Sequence, residues 1–131
     1  MIFVDSNVPM YLIGAPHPHK VDAQRLLERA IADREKLVTS AEVFQEILRR
    51  YGYLNRRDAI QPAFDALRGV VDDIFAIEFP QVERAKTLLL GRPRLKARDA
   101  LHLATMERHG LNRIISFDTD FDALPGITRI H

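Results

Sequence analysis

The chain has no cysteine, which excludes disulfides and thiolate zinc sites and suits a reducing compartment. No run of about 18 apolar residues occurs, so no membrane span is expected. The N-terminus lacks a basic start followed by an apolar stretch, so no secretory leader is expected either, and the expected location is cytoplasmic. A charge bias is also missing. Nineteen Lys and Arg balance eighteen Asp and Glu, a net charge of +1, so only the local distribution of charge can speak for a polyanionic partner. No internal repeat, linker or low-complexity segment divides the chain. Its 131 residues, 47% apolar and 28% charged, are enough for one domain, residues 1–131, with a core of its own.

What is present alternates between two periods. Met1 to Asp5 reads as a short buried strand, Lys36 to Ser40, Asp73 to Phe79 and Asn112 to Phe117 as further strands, and Ile127 to Ile130 as a short fifth. Asn7 or Val8 caps a brief helix with Pro9 in its first turn. Helical spacing places Ala23, Leu26, Leu27, Ala30 and Ile31 on one stripe of a helix from Val21 to Arg34. Ser40 is the expected N-cap of a helix from Glu42 to Tyr53. Further helices are expected over Arg57 to Val70, from Pro80 to Leu90 and from Arg98 to His109, the last stopped by Gly110. Strands alternating with helices predict an α/β fold, a parallel sheet of four to five strands flanked by α-helices.

Four acids fall beside the ends of strands or the starts of the following helices: Asp5, Glu46, Asp99 and Asp118. In an open α/β sheet, ligands bind outside the carboxyl ends of the strands. Carboxylates gathered there repel one another unless a cation holds them, and hard oxygen donors suit Mg2+ or Mn2+. These positions therefore imply a metal-dependent enzyme acting on phosphate. Taken singly, each has a plainer explanation. Asp5 can start a turn, Asp99 can meet the free amides of its helix, and Asp118 can open the acidic turn that continues through Asp120 and Asp122. Glu46 lies on the polar flank of its helix and can pair with Arg50, with Glu42 as the rival for its role. His102, among apolar neighbours, reads as a structural histidine. It is the joint placement on one sheet edge that favours a site.

Arg92, Arg94, Lys96 and Arg98 lead into Asp99 with no intervening acid. Such a segment reads either as a solvated loop or as the holder of a polyanion's backbone whose scissile phosphate lies at the metal. Arg49, Arg50, Arg56 and Arg57 form a second basic group.

The stretches Ile2 to Met10 (IFVDSNVPM), Thr39 to Leu48 (TSAEVFQEIL), Ala97 to Thr105 (ARDALHLAT) and Ile114 to Phe121 (IISFDTDF) resemble, in order and over nearly the full length, those of PIN-domain ribonucleases, specifically VapC-type toxins. The resemblance implies that Asp5, Glu46, Asp99 and Asp118 are the acidic quartet. It makes Ser6 the polar residue after the first aspartate and Asp120 an accessory acid. Serine stands at Ser6 and Ser116 where the family often has threonine, and the hydroxyl is kept. Asn7 and Ser6 are expected to hold the Asp5 turn and Ser116 to support Asp118. The resemblance further implies a PIN-like sandwich, a homodimer, RNA cleavage with magnesium or manganese, and inhibition by a small cognate antitoxin.

Two rivals remain on sequence. One is a haloacid-dehalogenase-like phosphatase with Asp5 as nucleophile, Ser40 or Lys96 on phosphate, and Asp118 and Asp122 on magnesium. Its general acid would fall at Asn7, which is no acid. The other is a PIN-like module that binds RNA without cutting it.

Overall fold

The computed structural model describes residues 1–131. Its strands are β1 (Ile2–Val4), β2 (Leu37–Ser40), β3 (Asp73–Phe75), β4 (Arg113–Ile115) and β5 (Thr128–Ile130). Its helices are α1 (Asn7–Ile13), α2 (Pro18–Ala32), α3 (Ala41–Tyr53), α4 (Ile60–Val70), α5 (Phe79–Gly91) and α6 (Ala97–Arg108). The strands form one parallel sheet in the order β3-β2-β1-β4-β5, as the alternating pattern predicts.

The centre of the sheet reads directly from its residues. Ile2-Phe3-Val4 and Leu37-Val38-Thr39-Ser40 are buried throughout, as expected of parallel strands covered on both faces. Within β2, Thr39 Oγ1 donates to the Val4 carbonyl at 2.9 Å. Helices α1 to α4 touch one another, and α5 packs on α6. Right-handed crossovers place these two groups on opposite faces of the sheet. The chain winds outward from β1 through β2 to β3, then returns to β4 on the other side of β1. The gap between the carboxyl ends of β1 and β4 is thus the topological switch point, where ligands bind in such sheets.

Element boundaries depart from expectation where polar chemistry outweighs pattern. β3 ends at Phe75, not Phe79, because Glu78 already belongs to the start of α5: its backbone N–H donates to Gln81 Oε1 at 2.8 Å. Gln81 also donates from Nε2 to Thr105 Oγ1 (3.0 Å), tying α5 to α6. α2 begins at Pro18, three residues before the expected Val21, with His17 Nδ1 accepting from the His19 N–H at 3.0 Å. Arg57–Ala59 is a 3-10 turn, and α4 starts at Ile60, so Pro62 lies in its first turn, where no intrahelical N–H is needed. Ser40 holds the N-cap position of α3, but its hydroxyl is buried and makes no capping bond. Gly110 follows α6 with φ +69°, a left-handed turn that glycine adopts without strain. Ile31, expected on a buried stripe, is exposed.

The main core gathers Phe3, Ile47, Leu67, Met106, Ile114 and Phe121. Phe121 sits in a 3-10 turn, Thr119–Ala123, immediately after Asp118, and is fully buried. That ring anchors the acidic turn to the sheet. Phe121→Ala should cost about 3–5 kcal/mol in urea denaturation. A loss below about 0.5 kcal/mol, the scale of a surface substitution, would show that the ring is not an anchor.

Candidate active site

Asp5 continues the sheet by one residue: its N–H donates to the Ile115 carbonyl at 3.1 Å. That places its carboxylate between the ends of β1 and β4, where it is buried. Oδ1 accepts from the Ser6 N–H at 2.7 Å, and Oδ2 accepts from Ser116 Oγ at 2.6 Å and Asn7 Nδ2 at 3.4 Å. Ser116 Oγ in turn accepts from the Asp118 N–H at 3.0 Å and from Asn7 Nδ2 at 3.3 Å. Asn7 Oδ1 accepts from the Phe117 N–H at 3.3 Å. Asn7 and Ser116 thereby join the turn after β1 to the turn after β4.

Glu46 is not on a solvated flank paired with Arg50. It is only 7% exposed, and its Oε1 lies 2.6 Å from His102 Nε2, while Ser6 Oγ donates to Oε2 at 2.8 Å. The imidazole contact is short, yet the ring N–H does not point along it. The close polar contact and the Coulomb attraction between the two groups together hold the pair. Burial opposes the Glu46 carboxylate, but His102 and Ser6 outweigh it and hold its pKa below the ordinary value. Burial likewise opposes the imidazolium of His102. The fields of Glu46, Asp5 and Asp99 prevail and raise its pKa. Glu46 lines the cleft described below and Glu42 does not.

Asp99, in the first turn of α6, is 2% exposed. Its helical face turns inward with that of His102, as the spacing predicts. Asp118 accepts from the Asp120 N–H at 2.9 Å and so caps its own turn. Arg98 stands between these two acids, 3.7 Å from Asp99 Oδ1 and 3.6 Å from Asp118 Oδ2. Lys96 Nζ meets Asp120 at 3.0 Å. Donor atoms of Asp5, Glu46 and His102 lie within 4.8 Å of one another, as do those of Asp99, Asp118 and Asp120. The site thus holds two triads, one of two acids with His102 and one of three acids.

All four acids of the quartet line one cleft of about 570 Å3, with Ser6, Asn7, Arg50 and Arg98. Asp99 also lines a second cavity of about 590 Å3 walled by Arg92, Arg94, Lys96 and Asp120. The basic segment thus adjoins the acidic site. Of the other basic group, Arg50 reaches the cleft, and Arg56 is held by Asp58 at 3.1 Å. Burial, followed by repulsion from Asp118, raises the pKa of Asp99 from 3.8 to about 6, and burial raises that of Asp5. Carboxylates driven toward neutrality by burial and by each other are a donor set that fits a divalent cation, and their hard oxygens suit Mg2+ or Mn2+. His102, read from the sequence as a structural histidine, is buried in the site against Glu46 and Asp5. Its place one turn after Asp99, at i+3, was the available signal.

A buried acidic cleft at the switch point of a five-stranded parallel sheet defines a PIN-type nuclease architecture, and residues 2–127 match the PIN domain family. The chain belongs to that family, among its VapC ribonucleases. It is 59% identical over 130 residues to a VapC ribonuclease of Mycobacterium bovis and to ribonuclease VapC13 of Mycobacterium tuberculosis, covering 99% of each chain. The crystal structure of Mycobacterium tuberculosis VapC20, a sarcin–ricin-loop-cleaving toxin, superposes with a TM-score of 0.70 at 26% identity, covering 94% of both chains.

The raised pKa of Asp99 has a thermodynamic consequence in metal-free protein. Between the unfolded value of 3.8 and the folded value of about 6 the native state binds the extra proton. Stability therefore falls as pH rises through that window and levels off above it. The full shift corresponds to about 3 kcal/mol, which screening in an open cleft reduces to about 1–2 kcal/mol. Asp99→Asn should stabilise the metal-free protein by that amount near pH 7 and by far less near pH 4. Equal effects at both pH values in thermal melts would show that ionisation of Asp99 is not the cause.

Proposed function

We propose that the chain is a divalent-cation-dependent endoribonuclease, the toxin of a type II toxin–antitoxin pair, working as one nuclease domain over residues 1–131. The observation that carries this reading is the convergence of Asp5, Glu46, Asp99 and Asp118 in one cleft at the sheet's switch point. Its kinship with VapC ribonucleases over 99% of its length supports it.

Asp5, Asp99 and Asp118 would hold the cation, Mg2+ or Mn2+. When bound, that ion supplies Lewis acidity to the phosphate and to the attacking water. The chain's own residues set the geometry. Ser6, Asn7 and Ser116 fix the Asp5 carboxylate, so its lone pairs face the cleft without reorganisation. Glu46, kept ionised by His102, accepts a hydrogen bond and orients water rather than storing a proton. Arg98 and Arg50 offer guanidinium groups to the phosphate oxygens. Arg92, Arg94 and Lys96 carry the neighbouring RNA backbone, and Asp120 holds Lys96 in place. Attack of water on phosphorus breaks the bond to the 3′ oxygen, leaving a 3′-hydroxyl and a 5′-phosphate.

Partners follow from the surface. Phe79 and Leu90 on α5 and Tyr53 at the end of α3 are large apolar side chains more than 70% exposed. Such groups suit a homodimer contact and the cover of a small antitoxin. No helix is long and apolar enough to cross a membrane.

The phosphatase reading lacks its metal set. Asp122 is clamped by Arg129 at 2.8 and 2.9 Å and lies outside the cleft, and Ser40 is buried. A non-catalytic module would have no need of four intact carboxylates in one cleft.

Asp5→Asn, Asp99→Asn and Asp118→Asn should each lower the rate of RNA cleavage at least about 100-fold, and a chelator should abolish it. Wild-type cleavage by Asp99→Asn with the same metal would remove the site assignment. Arg94→Ala should weaken binding of unrelated RNAs about equally and make the salt dependence shallower, by roughly 0.7 in slope for each lost phosphate contact. Lys96→Ala should change it less, because Asp120 already neutralises Lys96. An unchanged slope for Arg94→Ala would remove this segment from the RNA track.

A further inference from the structure

The cleft that holds the carboxylates has a second wall of different chemistry. Beside the acids it is also lined by Met10, Tyr11, Tyr51, Leu54 and Phe117. Two of these are tied in sequence to the acidic site: Phe117 directly precedes Asp118, and Tyr11 lies one helical turn beyond Asn7. Their rings are already packed. Phe117 stacks on His19 at 4.5 Å with an interplanar angle of 22°, and Tyr11 meets Phe117 edge-on at 5.2 Å and His19 edge-on at 4.9 Å. His17 lies 5.1 Å from Tyr11, completing the group. The backbone under Phe117 is fixed by the bond from its N–H to Asn7 Oδ1.

Tyr11, His19 and Phe117 are nonetheless only partly buried. Rings that served the core alone would be covered, as Phe3 and Phe121 are. A phosphate has no use for such a wall, whereas a flat heterocycle does. Aromatic side chains bind unstacked bases through their faces regardless of sequence, and a tyrosine hydroxyl can add a hydrogen bond at a base edge. We infer that the nucleobase next to the scissile phosphate stacks against Tyr11 and Phe117 at the apolar end of this cleft, with His19 backing the Phe117 ring. The inference rests on the ribonuclease reading above and deepens it. One nucleotide then spans the cleft, its phosphate at the acids and its base on the rings, while the backbone continues into the adjoining basic cavity past Asp99. The cleft's volume of about 570 Å3 falls within the range of small-ligand sites. The site would select single-stranded RNA, because a paired base cannot leave its stack to reach the rings.

The test uses the full chain, Mg2+ or Mn2+, and a short RNA spanning a mapped cut. Steady-state cleavage is compared for the intact RNA and for RNAs with an abasic ribose on either side of the cut. Phe117→Leu and Tyr11→Leu are assayed alongside, with their folding checked by thermal melting. An abasic ribose at one of the two flanking positions should raise KM about 10-fold or more and change kcat by less than about 3-fold, as loss of a stacked base does. Phe117→Leu should reproduce that rise on intact RNA and add little on the abasic RNA, since both remove the same contact. The abasic arm leaves the protein untouched, so it decides the matter even if a variant fails to fold. If wild type cuts the RNA but neither abasic position alters KM, the rings merely brace the loop before α2, and the inference falls while the nuclease reading stands. If wild type cuts no RNA with either metal, both fall.

Discussion

Burying like charges beside one another is the constraint on which this structure turns. Asp5 and Asp99 are almost wholly removed from water, with Asp118 at the mouth of the same cleft. An isolated buried carboxylate is costly and tends to neutralise. The fold contains the cost by surrounding Asp5 with donors from Ser6, Asn7 and Ser116, by pairing Glu46 with His102, and by placing Arg98 between Asp99 and Asp118. The groups come from several elements: Ser6 and Asn7 follow β1, Ser116 follows β4, Glu46 is on α3, and Arg98 and His102 are on α6. The site therefore exists only when β1, β4, α3 and α6 are all in place.

That dependence explains why a sheet of such short strands positions chemistry accurately. The ladder continues past β1 through Asp5 and past β4 through Ser116, whose N–H reaches the Ile130 carbonyl at 3.4 Å. The two turns are then fastened by Asn7 and Ser116 side chains instead of by more strand. Below them, Phe121 seals the acidic turn against the core. Asp5 and Asp118 sit in the turns just beyond β1 and β4, and Glu46 and Asp99 on helices α3 and α6. All four carboxylates are thus carried on or next to regular structure and still reach the cleft.

Much of this was legible in the sequence, because the relevant signals are periodic or local. Continuous apolar runs marked β1, β2 and β4, and the placement of acids after them marked the edge. Asp99 was readable as inward-facing because Met106 and His102 share its helical face. Glu46 was misplaced for an instructive reason. A helical wheel orders residues by hydrophobicity, and it puts a carboxylate outside unless a partner is known. The partner is His102, on a helix more than fifty residues away, whose buried ring meets Glu46 at 2.6 Å and turns that flank inward. The same blindness applies to His17, which starts α2 with a ring nitrogen rather than the usual hydroxyl or carboxylate, and to Gln81, whose bonds shorten β3. Long-range polar pairs leave no period in the sequence.

The account's central claim is that these carboxylates are gathered for a divalent cation. It is tested most directly by titrating Mn2+ into the metal-free protein and following free Mn2+ by electron paramagnetic resonance, wild type beside Asp118→Asn. Saturable binding by wild type, weakened at least about 10-fold by loss of one charged ligand, is the predicted result, since removing a support of a metal site costs about 10–100-fold in affinity. Equal binding by the two proteins, or none by wild type at millimolar Mn2+, would contradict the claim.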